Sequence, residues 1–137
     1  MSADEDFLDT NVLLYLMSGE PAKADRAEAL IKAGGVVSIQ VLNEFVSVSS
    51  RKFGMDLSEI REILAAIRSC CRVEPLTIST HDLGLDLAQR FGLSIYDALI
   101  VAAAILARCR TLHSEDLHHG QRIEGVTIRN PFVGGMS

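Results

Sequence analysis

A chain of 137 residues, 48% of them hydrophobic, is long enough to bury a sizeable core without disulfides or structural metals. Its net charge of -5 excludes a global positive field, so a nucleic-acid ligand would need a local basic patch or a bound cation. Three cysteines with no C-x-x-C pair, and no secretory signal pattern, argue against structural zinc and lead us to expect a cytoplasmic protein.

Short β-prone segments alternate with longer helical patterns along the chain. In chain order the sequence predicts strand Asp6–Asp9, helices Asn11–Met17 and Pro21–Ala33, strand Val36–Ile39, helices Val41–Phe53 and Leu57–Cys71, strand Val73–Leu76, helices Thr80–Phe91 and Ile95–Cys109, and strands Thr111–Ser114 and Val126–Arg129. This alternation predicts an α/β fold with a mainly parallel sheet of about five strands. No repeat or long linker interrupts it, so we expect one domain over residues 1–137. The longest apolar run, residues 98–107, is too short to span a membrane.

Carboxylates stand at the ends of two predicted strands, where open parallel sheets bind ligands. Asp9 lies in the otherwise mostly apolar stretch FLDTNVLLYL, and burying a charge costs several kcal/mol, roughly, unless it is compensated. Thr10 and Asn11 could cap the next helix without a charge, so we favour a functional role for Asp9. Asp116 follows the fourth strand, and we interpret its neighbour Glu115 as a turn residue.

Two further carboxylates belong to predicted helices. Glu44, in VLNEF, has apolar neighbours that place it at the margin of a buried face. Asp97 opens the most apolar helix, in SIYDALIVAAA, and Ser94 stands three residues before it, as in a capping box. The stretch from Asp56 to Glu59 has the same form, so the pattern alone leaves Asp97 open as a cap or as a ligand.

Carboxylates gathered from four distant parts of the chain would repel one another. Two unit charges about 4 Å apart interact by roughly 4 kcal/mol at an effective dielectric constant of about 20, so such a cluster favours a cation among its members. Oxygen ligands suit Mg²⁺ or Mn²⁺ better than zinc. A site of this kind can activate water for in-line attack at phosphorus, and we therefore expect phosphodiester hydrolysis.

The stretches FLDTNVLLYL, VLNEF, SIYDALIVAAA and LHSEDLHHGQ, in this order and spacing, resemble the PIN-domain ribonucleases, most of all the VapC-type toxins of bacterial toxin-antitoxin modules. The resemblance implies a three-layer α/β/α sandwich and a metal-dependent endoribonuclease acting on RNA. It also implies a homodimer and a small antitoxin protein that inserts a segment into the active-site groove.

Carried over by position, the acidic residues of the family fall on Asp9, Glu44, Asp97 and Asp116, and its polar helpers on Asn11 and Ser114. Our hypothesis is that Asp9, Asp97 and Asp116 hold one or two Mg²⁺ or Mn²⁺ ions. Glu44 would orient or deprotonate the attacking water.

Two alternatives remain open. A catalytically silent PIN-like binding module would keep its acids as helix caps. A metal-dependent phosphatase of the haloacid-dehalogenase type also begins with a strand-end Asp, but it needs a second Asp where this chain has Asn11. We interpret Arg51 and Lys52 as complementing a helix dipole. We interpret His113, His118 and His119 as structural, without metal spacing.

Overall fold

The computed structural model describes residues 6–133, and the two ends of the predicted domain, residues 1–5 and 134–137, lie outside this range. Six strands form one sheet in the order β3-β2-β1-β4-β6-β5. Their bounds are β1 Asp6–Leu8, β2 Val36–Ser38, β3 Arg72–Glu74, β4 Thr111–His113, β5 Arg122–Ile123 and β6 Val126–Arg129. All neighbours pair in parallel except β5 and β6, which are antiparallel.

Helices cover both faces of the sheet, giving the expected three-layer α/β/α sandwich. They are α1 Thr10–Leu14 with a 3₁₀ turn at Tyr15–Met17, α2 Pro21–Lys32, α3 Ile39–Phe53, α4 Leu57–Cys70, α5 Ile78–Phe91 and α6 Ile95–Leu106. Helix α6 lies against β2, β4 and β6 and packs on α5, whereas α2 packs on α4. Within residues 6–133 no single helix is long and apolar enough to cross a bilayer. Only α5 and α6 taken together reach that length and composition, and this pair is bent by 118°.

The core forms where central strands and apolar helices meet. Phe7 and Leu8 of β1 are fully buried, as expected for a parallel strand covered on both faces. Helix α6 buries nearly all its residues from Ala98 to Ala104, which explains its uninterrupted apolar sequence. The parallel strands β1, β2, β4 and β6 end together at one edge of the sheet. That edge positions the polar residues of the candidate site.

Helices α2, α4 and α6 begin at the predicted residues, whereas α1, α3 and α5 begin one to two residues earlier and the strands before them end earlier than predicted. Asp9, Ser38 and Thr77 are the N-caps of α1, α3 and α5, because a side-chain oxygen of each accepts a hydrogen bond from a backbone N–H in the first turn. The two-residue strand β5 was not predicted. Its hairpin turn at Glu124 and Gly125 has φ of 51° and 88°, the conformation of a two-residue loop with both residues left-handed.

Candidate active site

Asp9 follows β1 and lies at the bottom of the site, with only 5% of its surface exposed. One carboxylate oxygen accepts a bond from the backbone N–H of Thr10 at 2.7 Å, and the other accepts a bond from the Ser114 hydroxyl at 2.8 Å. Asp9 thus caps α1, as the binding-module alternative requires. It is also held from the end of β4, which a local cap does not need.

Burial raises the pKa of Asp9 from 3.8 to about 6, and the negative charges of Asp116 and Glu44 contribute to the increase. The bonds from Ser114 and Thr10 act in the opposite direction, because they stabilise the charged form. At neutral pH the carboxylate is therefore an anion in surroundings that disfavour it. A nearby cation would relieve that cost.

Asn11 and Ser114, the two predicted helpers, join Asp9 to Asp116. The Asn11 amide nitrogen lies 3.4 Å from a carboxylate oxygen of Asp9 and 3.1 Å from one of Asp116. The Ser114 hydroxyl oxygen accepts bonds from the backbone N–H groups of Asp116 and Leu117, which shapes the loop after β4. Asp116 is exposed at the mouth of the site while Asp9 is buried below it.

Glu44 approaches from α3 and is fixed by Thr10, which the sequence offered only as a possible helix cap, and by Gln40, which the sequence did not single out. Its carboxylate accepts a bond from the Thr10 hydroxyl at 2.7 Å and one from the Gln40 amide at 3.2 Å. The same Gln40 nitrogen donates to the backbone carbonyl of Tyr96, at the start of α6. Gln40 precedes Glu44 by four residues, a spacing that places both on one helix face and could have indicated the pair.

Asp97 is half-buried at the start of α6. The Ser94 hydroxyl accepts a bond from the Asp97 backbone N–H, but the reciprocal bond of a capping box is absent among residues 6–133. Both bonds are present between Asp56 and Glu59. Burial raises the pKa of Asp97, and the charges of Asp116 and Glu44 add to the increase although Ser94 opposes it. The charges of Asp116 and Glu44 therefore act on both Asp9 and Asp97.

The charges of the carboxylates, more than their present arrangement, decide whether they could hold a divalent cation. Within the described part of the chain, no three Asp, Glu, His or Cys side chains are placed so that they could together hold a metal ion. Mg²⁺, however, keeps several waters and commonly uses only one or two carboxylates. The ligand atoms here are oxygens, and the pKa values of Asp9 and Asp97 are raised partly by their anionic neighbours. The residues therefore fit a cation held partly through water.

Above the carboxylates lies a groove of about 340 Å³, whose lining includes Thr10, Asn11, Glu44, Asp116 and Arg51. Arg51 belongs to the last turn of α3, so it complements the helix dipole as predicted and also contributes positive charge to the groove. The groove thus combines an anionic floor with one basic wall residue.

Glu115 is more than the turn residue we expected. Its backbone N–H donates to the Asn11 side-chain oxygen at 3.0 Å, and its carboxylate accepts a bond from the Tyr15 hydroxyl at 2.8 Å. Lys23 lies 3.2 Å from the same carboxylate and 4.6 Å from the centre of the Tyr15 ring. These contacts fix the loop after β4 against α2.

Comparison with known proteins assigns the chain to a family. A family model of the PIN domain matches residues 7–122. The chain belongs to the PIN domain family. No curated protein matches its sequence significantly.

Solved structures share the PIN domain's fold at low identity. A toxin-antitoxin complex from Klebsiella pneumoniae superimposes with a TM-score of 0.71 at 23% identity, over 93% of this chain and 98% of that one. VapC20 of Mycobacterium tuberculosis, described as a toxin that cleaves the Sarcin-Ricin loop, gives 0.66 at 22% identity over 82% and 90%. VapBC2 of Rickettsia felis, bound to a promoter DNA fragment, superimposes with a TM-score of 0.63 at 22% identity, over 90% of this chain and 96% of that one.

Proposed function

We propose that this PIN domain is a metal-dependent endoribonuclease that hydrolyses phosphodiester bonds of RNA and is the toxin of a toxin-antitoxin pair. The observation that carries the proposal is that hydrogen bonds of Asn11, Thr10 and Ser114 hold three carboxylates from distant parts of the chain, Asp116, Glu44 and Asp9. The charges of Asp116 and Glu44 also act on a fourth carboxylate, Asp97. The solved relatives support the same assignment, since their descriptions name toxins and toxin-antitoxin complexes.

In this proposal Asp9, Asp97 and Asp116 hold Mg²⁺ or Mn²⁺, directly or through water. The ion supplies Lewis-acid activation of a water molecule and stabilises charge on the phosphate. Asn11 and Ser114 keep Asp9 and Asp116 in place, as groups that support metal ligands commonly do. Glu44 orients the attacking water and accepts its proton, and Thr10 and Gln40 fix the direction of its carboxylate.

We further propose a homodimer acting in the cytoplasm, with a separate antitoxin protein as inhibitor. The groove over the carboxylates is open to solvent and anionic at its floor, so it suits an inhibitory segment that carries a basic side chain. Such a segment would stand in for the cation and would block RNA.

The test is incubation of the purified, antitoxin-free protein with total RNA, in Mg²⁺ or Mn²⁺ and in EDTA. We expect discrete fragments that appear only with the metal ion and disappear when the antitoxin is added. Fragments of equal yield in EDTA would contradict metal dependence. Intact RNA under every condition, for a folded protein, would contradict the nuclease proposal.

Thr10→Val tests the role given to the Glu44 carboxylate. Valine keeps the shape of the buried side chain but removes the hydroxyl that donates to Glu44 at 2.7 Å. We expect cleavage to slow by about 10- to 100-fold, as for other groups that orient catalytic carboxylates. Thr10→Ser, which keeps the hydroxyl, is the matched control. Equal rates for the two variants in single-turnover assays would show that this bond does not matter for catalysis.

The binding-module alternative is favoured by one observation, namely that Asp9 caps α1 and so has a structural use. In that case divalent ions would not raise the thermal stability of the protein, because a cap needs no metal. A metal-induced rise in melting temperature that is lost in Asp9→Asn would exclude this alternative.

A further inference from the structure

A second and larger cavity opens where the ends of β4 and β6 meet α2. It has a volume of about 660 Å³, and its lining includes Lys23, Arg26, His113, His119, Arg129 and Phe132. We call this cavity the basic pocket. It is separate from the groove over the carboxylates, since no residue of the described chain lines both.

Charge is the distinctive property of the basic pocket. The chain has 18 acidic and 13 basic residues, yet no Asp or Glu within the described range lines this cavity. Among residues 6–133 neither Arg26 nor Arg129 forms an ion pair, and Arg26 only donates a bond from Nε to the carbonyl of Pro131. Lys23 contributes less, because Glu115 neutralises part of its charge. Two guanidinium groups without an acidic partner there suit a phosphate group.

The two histidines add hydrogen-bonding capacity to the same wall. The Nδ1 atom of His119 accepts a bond from the backbone N–H of Asn130 at 2.9 Å, so the neutral ring carries its proton on Nε2 and can donate. His113 is 5% exposed, its Nε2 atom contacts Asp6 at 3.0 Å, and its Nδ1 atom has no hydrogen-bond partner within the described residues. A buried ring nitrogen without a partner is uncommon and indicates an unmet bonding requirement.

The basic pocket and the carboxylates share the same strand ends. The Asp9 backbone N–H donates to the His113 carbonyl at 3.0 Å, and the Ser114 N–H donates to the Arg129 carbonyl at 2.9 Å. His113, on the wall of the pocket, directly precedes Ser114, which bonds to Asp9. An RNA strand whose scissile phosphate lies over Asp9 would therefore have another of its phosphates close to the pocket.

Building on the nuclease function proposed above, we propose that the basic pocket is a phosphate-binding subsite that holds a backbone phosphate of the RNA substrate near the scissile bond. Its volume is in the range of pockets that accept a nucleotide-sized ligand. It also supplies the local basic patch that an acidic chain needs in order to bind RNA. A free nucleotide presents the same phosphate chemistry, and the experiment below separates the two sources.

The test compares Arg26→Gln/Arg129→Gln with the control Arg61→Gln/Arg68→Gln, which removes two exposed arginines from α4. Both are made in an Asp9→Asn background so that RNA stays intact. Binding of a labelled oligouridylate is measured by fluorescence anisotropy over a range of salt concentrations. We expect the first variant to bind about tenfold more weakly. The slope of log affinity against log salt should fall by about 0.7 for each RNA phosphate that the variant no longer neutralises. The control should match the parent.

A second arm titrates adenosine monophosphate while the His113 and His119 ring signals are followed by NMR. Shifts in the parent that are absent from Arg26→Gln/Arg129→Gln, together with weaker RNA binding, support the proposal. The same shifts with unchanged RNA binding would make the pocket a site for a free nucleotide and overturn the RNA assignment. If Arg26→Gln/Arg129→Gln and Arg61→Gln/Arg68→Gln bind RNA equally well and show the same nucleotide-induced shifts, the proposal of a phosphate-binding pocket is overturned.

Failure of the nuclease proposal would look different. In that case the protein without any substitution would neither bind nor cleave RNA, and the RNA assignment would fall with it. The nucleotide titration would still decide whether the pocket binds phosphate.

Discussion

Asp9→Asn is expected to lower the rate of RNA cleavage by at least about a thousandfold, which corresponds to a loss of about 4 kcal/mol of transition-state stabilisation. The reason is that Asp9 is the most deeply buried of the four carboxylates and the one bonded to both polar helpers. Single-turnover cleavage in saturating Mn²⁺ measures the effect.

Asp82→Asn is the matched control for that substitution. Asp82 is exposed on α5 and lines neither the groove nor the basic pocket, so the same chemical change there should leave the rate unaltered. Both proteins should show the circular dichroism of the parent, because asparagine keeps the shape of aspartate. An Asp9→Asn protein that cleaves as fast as Asp82→Asn would contradict the role given to Asp9.

The second large effect concerns stability and pH. The pKa of Asp9 is about 6 in the folded protein against an ordinary value of 3.8, so folding takes up a proton between these values. The contribution of Asp9 to stability is therefore most favourable below about pH 3.8 and is lost as the pH rises through about 6. The shift corresponds to about 3 kcal/mol.

Comparison with Asp9→Asn isolates that contribution from all other titrating groups. In the presence of a chelator, the free energy of unfolding of Asp9→Asn relative to the parent should rise by about 2 kcal/mol between about pH 4 and pH 7, which is most of the full shift. Urea unfolding at a series of pH values measures this difference. If the free energy of unfolding changes with pH in the same way in both proteins, the folded environment does not raise the pKa of Asp9.

Most of the architecture follows from local patterns in the sequence. The alternation of β-prone and helical segments predicted an α/β fold with a mainly parallel sheet because each segment carries its own periodicity. Boundaries were less accurate, since Asp9, Ser38 and Thr77 were free to act as strand ends or as caps, and only the tertiary structure decides. Strand β5 is too short for a periodic signal, and its turn at Glu124 and Gly125 was not predicted.

The site was predicted in part, for a similar reason. Strand ends meet at one edge of a parallel sheet, so Asp9, Asp116 and their helpers could be expected to lie together. The bond from Thr10 to Glu44 depends on side-chain directions that the sequence pattern does not contain, whereas the four-residue spacing of Gln40 and Glu44 on one helix could have indicated theirs. The basic pocket was not predicted because its arginines and histidines are far apart in sequence and meet only after the sheet has formed.

Titration of Mn²⁺ into the antitoxin-free protein, by calorimetry at about pH 6 in two buffers of different ionisation heat, determines whether the carboxylates form a cation site. We predict binding accompanied by release of a proton, because a cation beside Asp9 favours its charged form, and we predict that Asp9→Asn loses both. Binding of Mn²⁺ without proton release, equal in the parent and in Asp9→Asn, or no binding at all, would contradict a cation site built on Asp9, Asp97 and Asp116.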